Sequence, residues 1–294
     1  MAGADRVRVP VPSWPHGMGV ADGRAMQTAS GTMTERVLTG AEDDRTDRQG
    51  RKAHQLSVQR FVQPDDVTCG PTCLRKVYSF YGLDVDIDEV ISSLERNEDG
   101  GTLAVFLGIS ALKRGFRARI YSYDLRIFDP TWFDLPADRL REKIHARFPY
   151  LKDAQRLRAA TAYIRFLGMG GEMSFEELTP GLMKAIIDRE HPILAGLSAT
   201  YLYRTARERW DDMVERLLDD DVRGDPTGHF VVISGYEQWG RRLCVLDPFE
   251  HPGMDTDNGG PQTVDASRLI NAILLGDVTY DAVLLEVWPA GEGS

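Results

Sequence analysis

Beyond Gln55 the apolar residues follow two periods, and the order in which these periods occur narrows the fold more than any other feature. Helical spacing comes first. In "CGPTCLRKVYSFYG" the residues Cys73, Leu74, Val77, Phe80 and Tyr81 make one stripe. Pro71 suits a first turn and Gly82 a stop. "DIDEVISSLERN" predicts a second helix capped near Asp86, and "TLAVFLGISALKRG" a third, capped at Thr102 and stopped at Gly115. Leu135 to Leu167 reads as helices broken at Pro149, and "TPGLMKAIIDRE" as another, with Thr179 as its cap. "FRARIYSYDL" is one early strand. The others come late, in "HPILAGLSATYLY", "HFVVISGYE", "RRLCVLDPF" and "DAVLLEVWP". Helices first and strands last predict an α+β fold, with N-terminal helices packed on a late antiparallel sheet rather than a doubly wound parallel one.

The first 54 residues have another texture. They hold no Ile, no Phe and one Leu, Leu38, and cannot bury enough apolar surface to offset their ordering entropy. Residues 1–54 are therefore expected to be a disordered tail. Residues 55–290 are expected to be the folded domain, with helical insertions around 125–170 and 204–227. The second insertion is read from the acidic amphipathic stretch "ARERWDDMVERLLDDD". The formal net charge of -10 argues against a nucleic-acid partner. No apolar run reaches the roughly 18 residues that a spanning helix needs, so no membrane insertion is expected. No apolar secretory segment opens the chain. The three cysteines, Cys69, Cys73 and Cys244, are an odd set without that signal, which predicts a reducing compartment, the cytoplasm, and no disulfide framework. Cys69 and Cys73 lack a second cysteine pair, so no metal is expected.

Cysteine followed by glycine is a poor way to begin a helix. A thiol in a first turn does gain something, because the unpaired N–H groups there favour the thiolate. The plain alternative for Cys69 is a small buried hydrophobe, as Cys73 and Cys244 read from their apolar surroundings. The two late strands supply partners. If "GHFVVISGYEQWGRRLCVLDPF" turns at Gln238, His229 and Asp247 face each other, with Cβ atoms roughly 5 Å apart. A carboxylate there would fix the tautomer of the ring and stabilise its charged form. Gly70 would leave room for a substrate backbone. Gln63, six residues before Cys69, would donate its amide beside the Cys69 N–H as an oxyanion hole.

These residues resemble those of the papain-like cysteine peptidases, and among them the C39-like group, relatives of bacteriocin leader-processing peptidases. The likeness rests on Gln63, Cys69-Gly70, Leu74, Val77 and Tyr81-Gly82, then on Gly228-His229 and Asp247-Pro248. It departs at Thr68, where the family often has Asp, and in the long Cys-to-His separation. The resemblance implies a papain-like fold and hydrolysis of a peptide bond without a cofactor. In it Cys69 is the nucleophile, His229 the general base and acid, Asp247 the orienting residue and Gln63 the oxyanion donor. An amidase or transpeptidase on the same scaffold would need the same residues. A non-catalytic peptide-binding module would not need all three members of a triad.

Overall fold

In this computed structural model the residues described are 52–97, 100–132, 134–211, 213–214, 216–249, 261–276 and 282–291. They belong to one structural unit, Arg36–Ser294. The expected tail lies outside the described residues except at its end. There β1 (His54–Gln55) already pairs with Tyr236 and Gly235. The domain thus begins a few residues before the predicted boundary. Gly235 permits this pairing, since a Cβ there would sit 2.4 Å from the His54 carbonyl oxygen.

The helices follow the predicted order. They are α1 (Cys69–Phe80), α2 (Ile87–Ser93), α3 (Ala104–Lys113), α4 (Ala137–Arg147), α5 (Ala154–Gly168), α6 (Pro180–Ile187), α7 (Ala199–Tyr203) and α8 (Ala266–Leu274). Asp86 and Thr179 cap α2 and α6 through their side chains. The cap of α3 is Leu103, because the Thr102 hydroxyl donates to the Glu95 carbonyl instead.

The strands β2 (Phe116–Ser122), β3 (Glu172–Ser174), β4 (Ile193–Ser198), β7 (Gly228–Glu237), β8 (Arg242–Leu246), β9 (Gln262–Asp265) and β10 (Val283–Pro289) form one sheet in the order β3-β2-β10-β4-β7-β8-β9. Apart from the parallel β2–β3 pair, its ladders are antiparallel. Both faces are covered, which explains why the central strands read as continuous apolar runs. Alternate residues of β7 enter two cores. Phe230 and Val232 join Cys73, Leu74 and Val77 of α1 and Leu107 of α3 on one side. Val231 and Ile233 join Met183 and Ile186 of α6 and Leu269 of α8 on the other.

The stretch 204–227 departs from expectation. It is not a helical insertion but a hairpin of β5 (Glu208–Asp211) and β6 (Arg216–Asp219). Long-range bonds hold it: Asp220 N–H donates to the Arg207 carbonyl at 2.7 Å, and Thr227 Oγ1 to Glu208 Oε2 at 2.6 Å. Arg209 spans the pair to Asp220 at 3.1 Å. Trp210 and Leu217 face each other but are exposed, so the apolar spacing that suggested a helix has no core to face. Tertiary anchoring overrides that spacing. The stretch 125–170 contains α4 and α5 joined by a 3-10 turn, Phe148–Tyr150.

Candidate active site

Cys69 opens α1 at a terminus without a side-chain cap, since the Thr68 hydroxyl donates to the Asp65 carbonyl. At this end Thr72 N–H donates to the Thr68 carbonyl at 3.0 Å and Gly70 N–H serves the thiol itself. Gly70 is small for a different reason from the one expected. A Cβ there would meet Thr102 Cγ2 at 2.6 Å and Phe230 at 3.3 Å, so the space it leaves is filled by protein, not by substrate. One turn on, the Cys73 thiol donates to the Phe230 carbonyl at 3.3 Å, fixing α1 against the strand that carries His229.

His229 Nε2 lies 2.8 Å from Asp247 Oδ1. With Nε2 donating to the carboxylate, Nδ1 is the nitrogen left for the Cys69 thiol, which hydrogen-bonds the ring. The side chains of His229 and Asp247 are 10% and 11% exposed, so little water screens them. The contact was expected, but its register was not. β7 and β8 pair Val232 with Leu246 and Ile233 with Val245, and a bulge at Ser234 shifts the rest to Gly235 with Cys244. Gln238, Trp239 and Gly240 take up the turn, all at positive φ. Regular pairing ends before His229, so the two side chains meet across a diagonal rather than directly opposite.

Electrostatics distinguish the three thiols. Burial works against the Cys69 thiolate, but the His229 charge and hydrogen bond, with the N–H groups of Phe230 and Gly70, outweigh it and hold this thiol below its ordinary value. Burial pushes Cys73 well up and Cys244 up to about 12. Burial also disfavours a charged His229, yet Asp247 and Cys69 overcome it and push the ring up to about 10.

Gln63 is buried. Its backbone N–H donates to the Pro248 carbonyl at 2.9 Å, joining the segment before Cys69 to the residue after Asp247. Its side-chain Nε2 donates to the Asp65 carbonyl at 2.7 Å, inside the loop that leads to Cys69, and has a second hydrogen to give. Among the described residues the Cys69 N–H has no acceptor.

Two residues at the site were missed. Tyr203 donates its hydroxyl to Asp247 Oδ2, and Phe249 N–H donates to Oδ1 at 2.7 Å. Burial and the neighbouring carboxylate keep Tyr203 protonated far above the usual range. The legible signal was Ser198, whose side chain caps the short helix that carries Tyr203. Lys76 lies on the same face of α1 as Cys69 and Cys73, fully buried, and its Nζ donates to the Leu246 carbonyl at 3.4 Å. Burial lowers its pKa, while Cys73 and Asp247 oppose the shift. Among the described residues no group of three or more His, Cys, Asp or Glu gathers as a metal would require. No helix among them is long and apolar enough to cross a membrane.

No family model and no curated protein matches the chain. Among solved structures it is similar to a double glycine motif protease from an AMS/PCAT transporter in complex with the leader peptide, at 14% identity over 81% of this chain and 95% of that one, with a TM-score of 0.37. It is also similar to the peptidase domain of Streptococcus ComA, a bi-functional ABC transporter, at 15% identity over 78% and 96%, with a TM-score of 0.36. Scores this low leave any assignment to the geometry of the site.

Proposed function

We propose that the chain is a papain-like cysteine peptidase resembling the C39-like group, acting in a reducing compartment, the cytoplasm. One observation carries the reading: of three free thiols only Cys69 is pulled down, and the ring that does so is held by a carboxylate on its far nitrogen. The Cys69 thiolate attacks a peptide carbonyl, and the carbonyl electrons move onto oxygen. That oxyanion lies towards the Cys69 N–H, with the spare amide hydrogen of Gln63 as second donor. Collapse expels the amine, which takes its proton from His229, and leaves a thioester on Cys69. A water molecule, deprotonated by His229, then attacks the thioester and regenerates the thiol–imidazole pair. Asp247 keeps Nε2–H fixed and stabilises the imidazolium. Tyr203 and Phe249 N–H hold that carboxylate in place.

Iodoacetamide at neutral pH is expected to label Cys69 quickly and Cys73 and Cys244 only after denaturation. Equal rates at all three would sink the reading. Peptide-library digestion with and without an added amine separates hydrolysis from transfer: an amide product in place of a free acid would make the enzyme a transpeptidase.

A further inference from the structure

A cleft of about 950 Å³ opens at the end of the sheet where β4 and β7 carry Ser198 and Gly228. Ser198 lines it and pairs with Gly228, the residue before His229. A smaller cleft of about 300 Å³ shares Asp265 and Arg268 with it and reaches Tyr203, which holds Asp247. The cleft therefore adjoins the His–Asp half of the site, the half that protonates a leaving amine.

Three guanidinium groups line it, those of Arg204, Arg207 and Arg268. Two carboxylates oppose them. Asp265 is engaged in capping α8, accepting from Ser267 N–H at 2.9 Å and Arg268 N–H at 3.4 Å. Asp221 also lines the cleft, and its backbone carbonyl accepts from Arg207. Among the described residues the Arg204 and Arg268 side chains have no acidic partner. In a chain of net charge -10, this cleft is locally basic.

Arg204 adds an independent observation. It ends α7 in the left-handed region, at φ 57 and ψ 41, where glycine carries no steric penalty and a residue with a Cβ does. A chain selected only to end this helix would have glycine there. The position keeps a guanidinium at the mouth of the cleft instead.

We propose that this cleft is a subsite for acidic side chains of the substrate, on the leaving-group side of the scissile bond. The proposal rests on the peptidase reading. Arginine clusters recognise acidic peptides by paired, charge-assisted hydrogen bonds, and the attraction weakens with salt.

The test uses two quenched-fluorescence peptides drawn from one cleaved sequence, with Glu or Gln at the positions after the scissile bond. The ratio of kcat/KM for Glu over Gln is expected to be about 10 or more, to shrink with added salt, and to fall towards 1 in Arg204→Gly and Arg268→Gln. Arg139→Gln, on the exposed face of α4, keeps the wild-type ratio. Because glycine suits the backbone at 204, Arg204→Gly is expected to melt at the same or a higher temperature, so its loss of preference cannot come from misfolding. If no peptide is cleaved, fluorescence anisotropy of the same peptides on the Cys69→Ala protein reads the subsite alone. Tighter binding of the Glu peptide supports the subsite even if the peptidase reading fails. Equal handling of the Glu and Gln peptides, or a ratio unchanged in both arginine variants, would overturn it. Binding of a short oligothymidylate as tight as that of the Glu peptide would also overturn it, in favour of indiscriminate polyanion binding.

Discussion

Among the described residues two histidine–carboxylate pairs are buried, and one of them faces a thiol. His229 meets Asp247 at 2.8 Å, and His191 Nδ1 meets Glu286 at 2.6 Å. Around Glu286 the donors are many. Arg189 reaches it at 2.8 Å, the Tyr121 hydroxyl at 2.9 Å, and Arg119 stands 3.8 Å away. His191 also stacks on Trp288, with ring planes 11° apart. Burial alone would raise the Glu286 carboxyl, but His191 and Arg189 hold it below its ordinary value. Its charge is spent on arginines. Asp247 instead meets an imidazole, a phenol and a backbone N–H, with the buried Lys76 ammonium acting on it through space, and the other nitrogen of that ring goes to Cys69. The difference teaches that a buried histidine–carboxylate contact can close on arginines or pass, through the ring, to a thiol.

The largest expected effect separates the pairs outright. His229→Ala should cut acylation of Cys69 per folded molecule by about 10³-fold, over and above the stability lost when Asp247 is left without its ring. His191→Ala should lower stability while leaving activity per folded molecule level. Stopped-flow acylation and thermal melts on both variants check this, and a matched loss of activity would erase the distinction. Next comes Glu286→Ala, which strands Arg189 and the buried His191 and should cost about 3 kcal/mol of stability; Arg119 keeps Glu172, and Arg189 is 37% exposed and can recover water, which keeps the figure low. A denaturant titration reads it.

Asp247→Asn should slow acylation 10- to 100-fold, roughly 1.4 to 2.7 kcal/mol, because Asn still accepts from the ring but offers no charge. Asp247→Ala should cost more, since the ring is freed to turn. The same pair predicts a pH effect. His229 is raised from 6.5 to about 10 in the folded state, so its contribution to stability is full below 6.5 and is lost as pH rises through about 10. Stability of the wild type should fall across that window more steeply than that of Asp247→Ala, and melts taken at several pH values would show parallel curves if Asp247 did not hold the charge. The smallest effect belongs to Tyr203→Phe. Losing one donor to Asp247 should slow acylation only a few-fold, about 1 kcal/mol or less. No change in rate would make Tyr203 a packing residue.

Much of this was legible in the sequence where the physics is local. Asp86 and Thr179 announce helix starts, and Pro180 and Gly82 mark where helices begin and stop, because caps and turns depend on a few neighbouring residues. The meeting of His229 and Asp247 was legible from two strands joined by a short turn. Its register was not, since the bulge at Ser234 accommodates β1, which comes from far along the chain. The hairpin at 208–219 was illegible for a related reason: its anchors, Arg207 to Asp220 and Glu208 to Thr227, are contacts no local period encodes. Lys76 was not singled out in the helical stripe, since a lysine on a helix is ordinarily solvated. Only the fold turns it inward against Leu246.

The bond from Gln63 N–H to the Pro248 carbonyl has a dynamic consequence. It fastens together two stretches far apart in the chain, one leading into the thiol and the other leading out of the carboxylate. Neither stretch can peel away without releasing its counterpart. Local opening at this seam should therefore release Cys69 and Asp247 in one event, well short of global unfolding. Deuterium uptake at this single amide would then run in step with intermittent loss of rapid Cys69 labelling, making the Gln63 proton a clock for how often the thiol site comes apart.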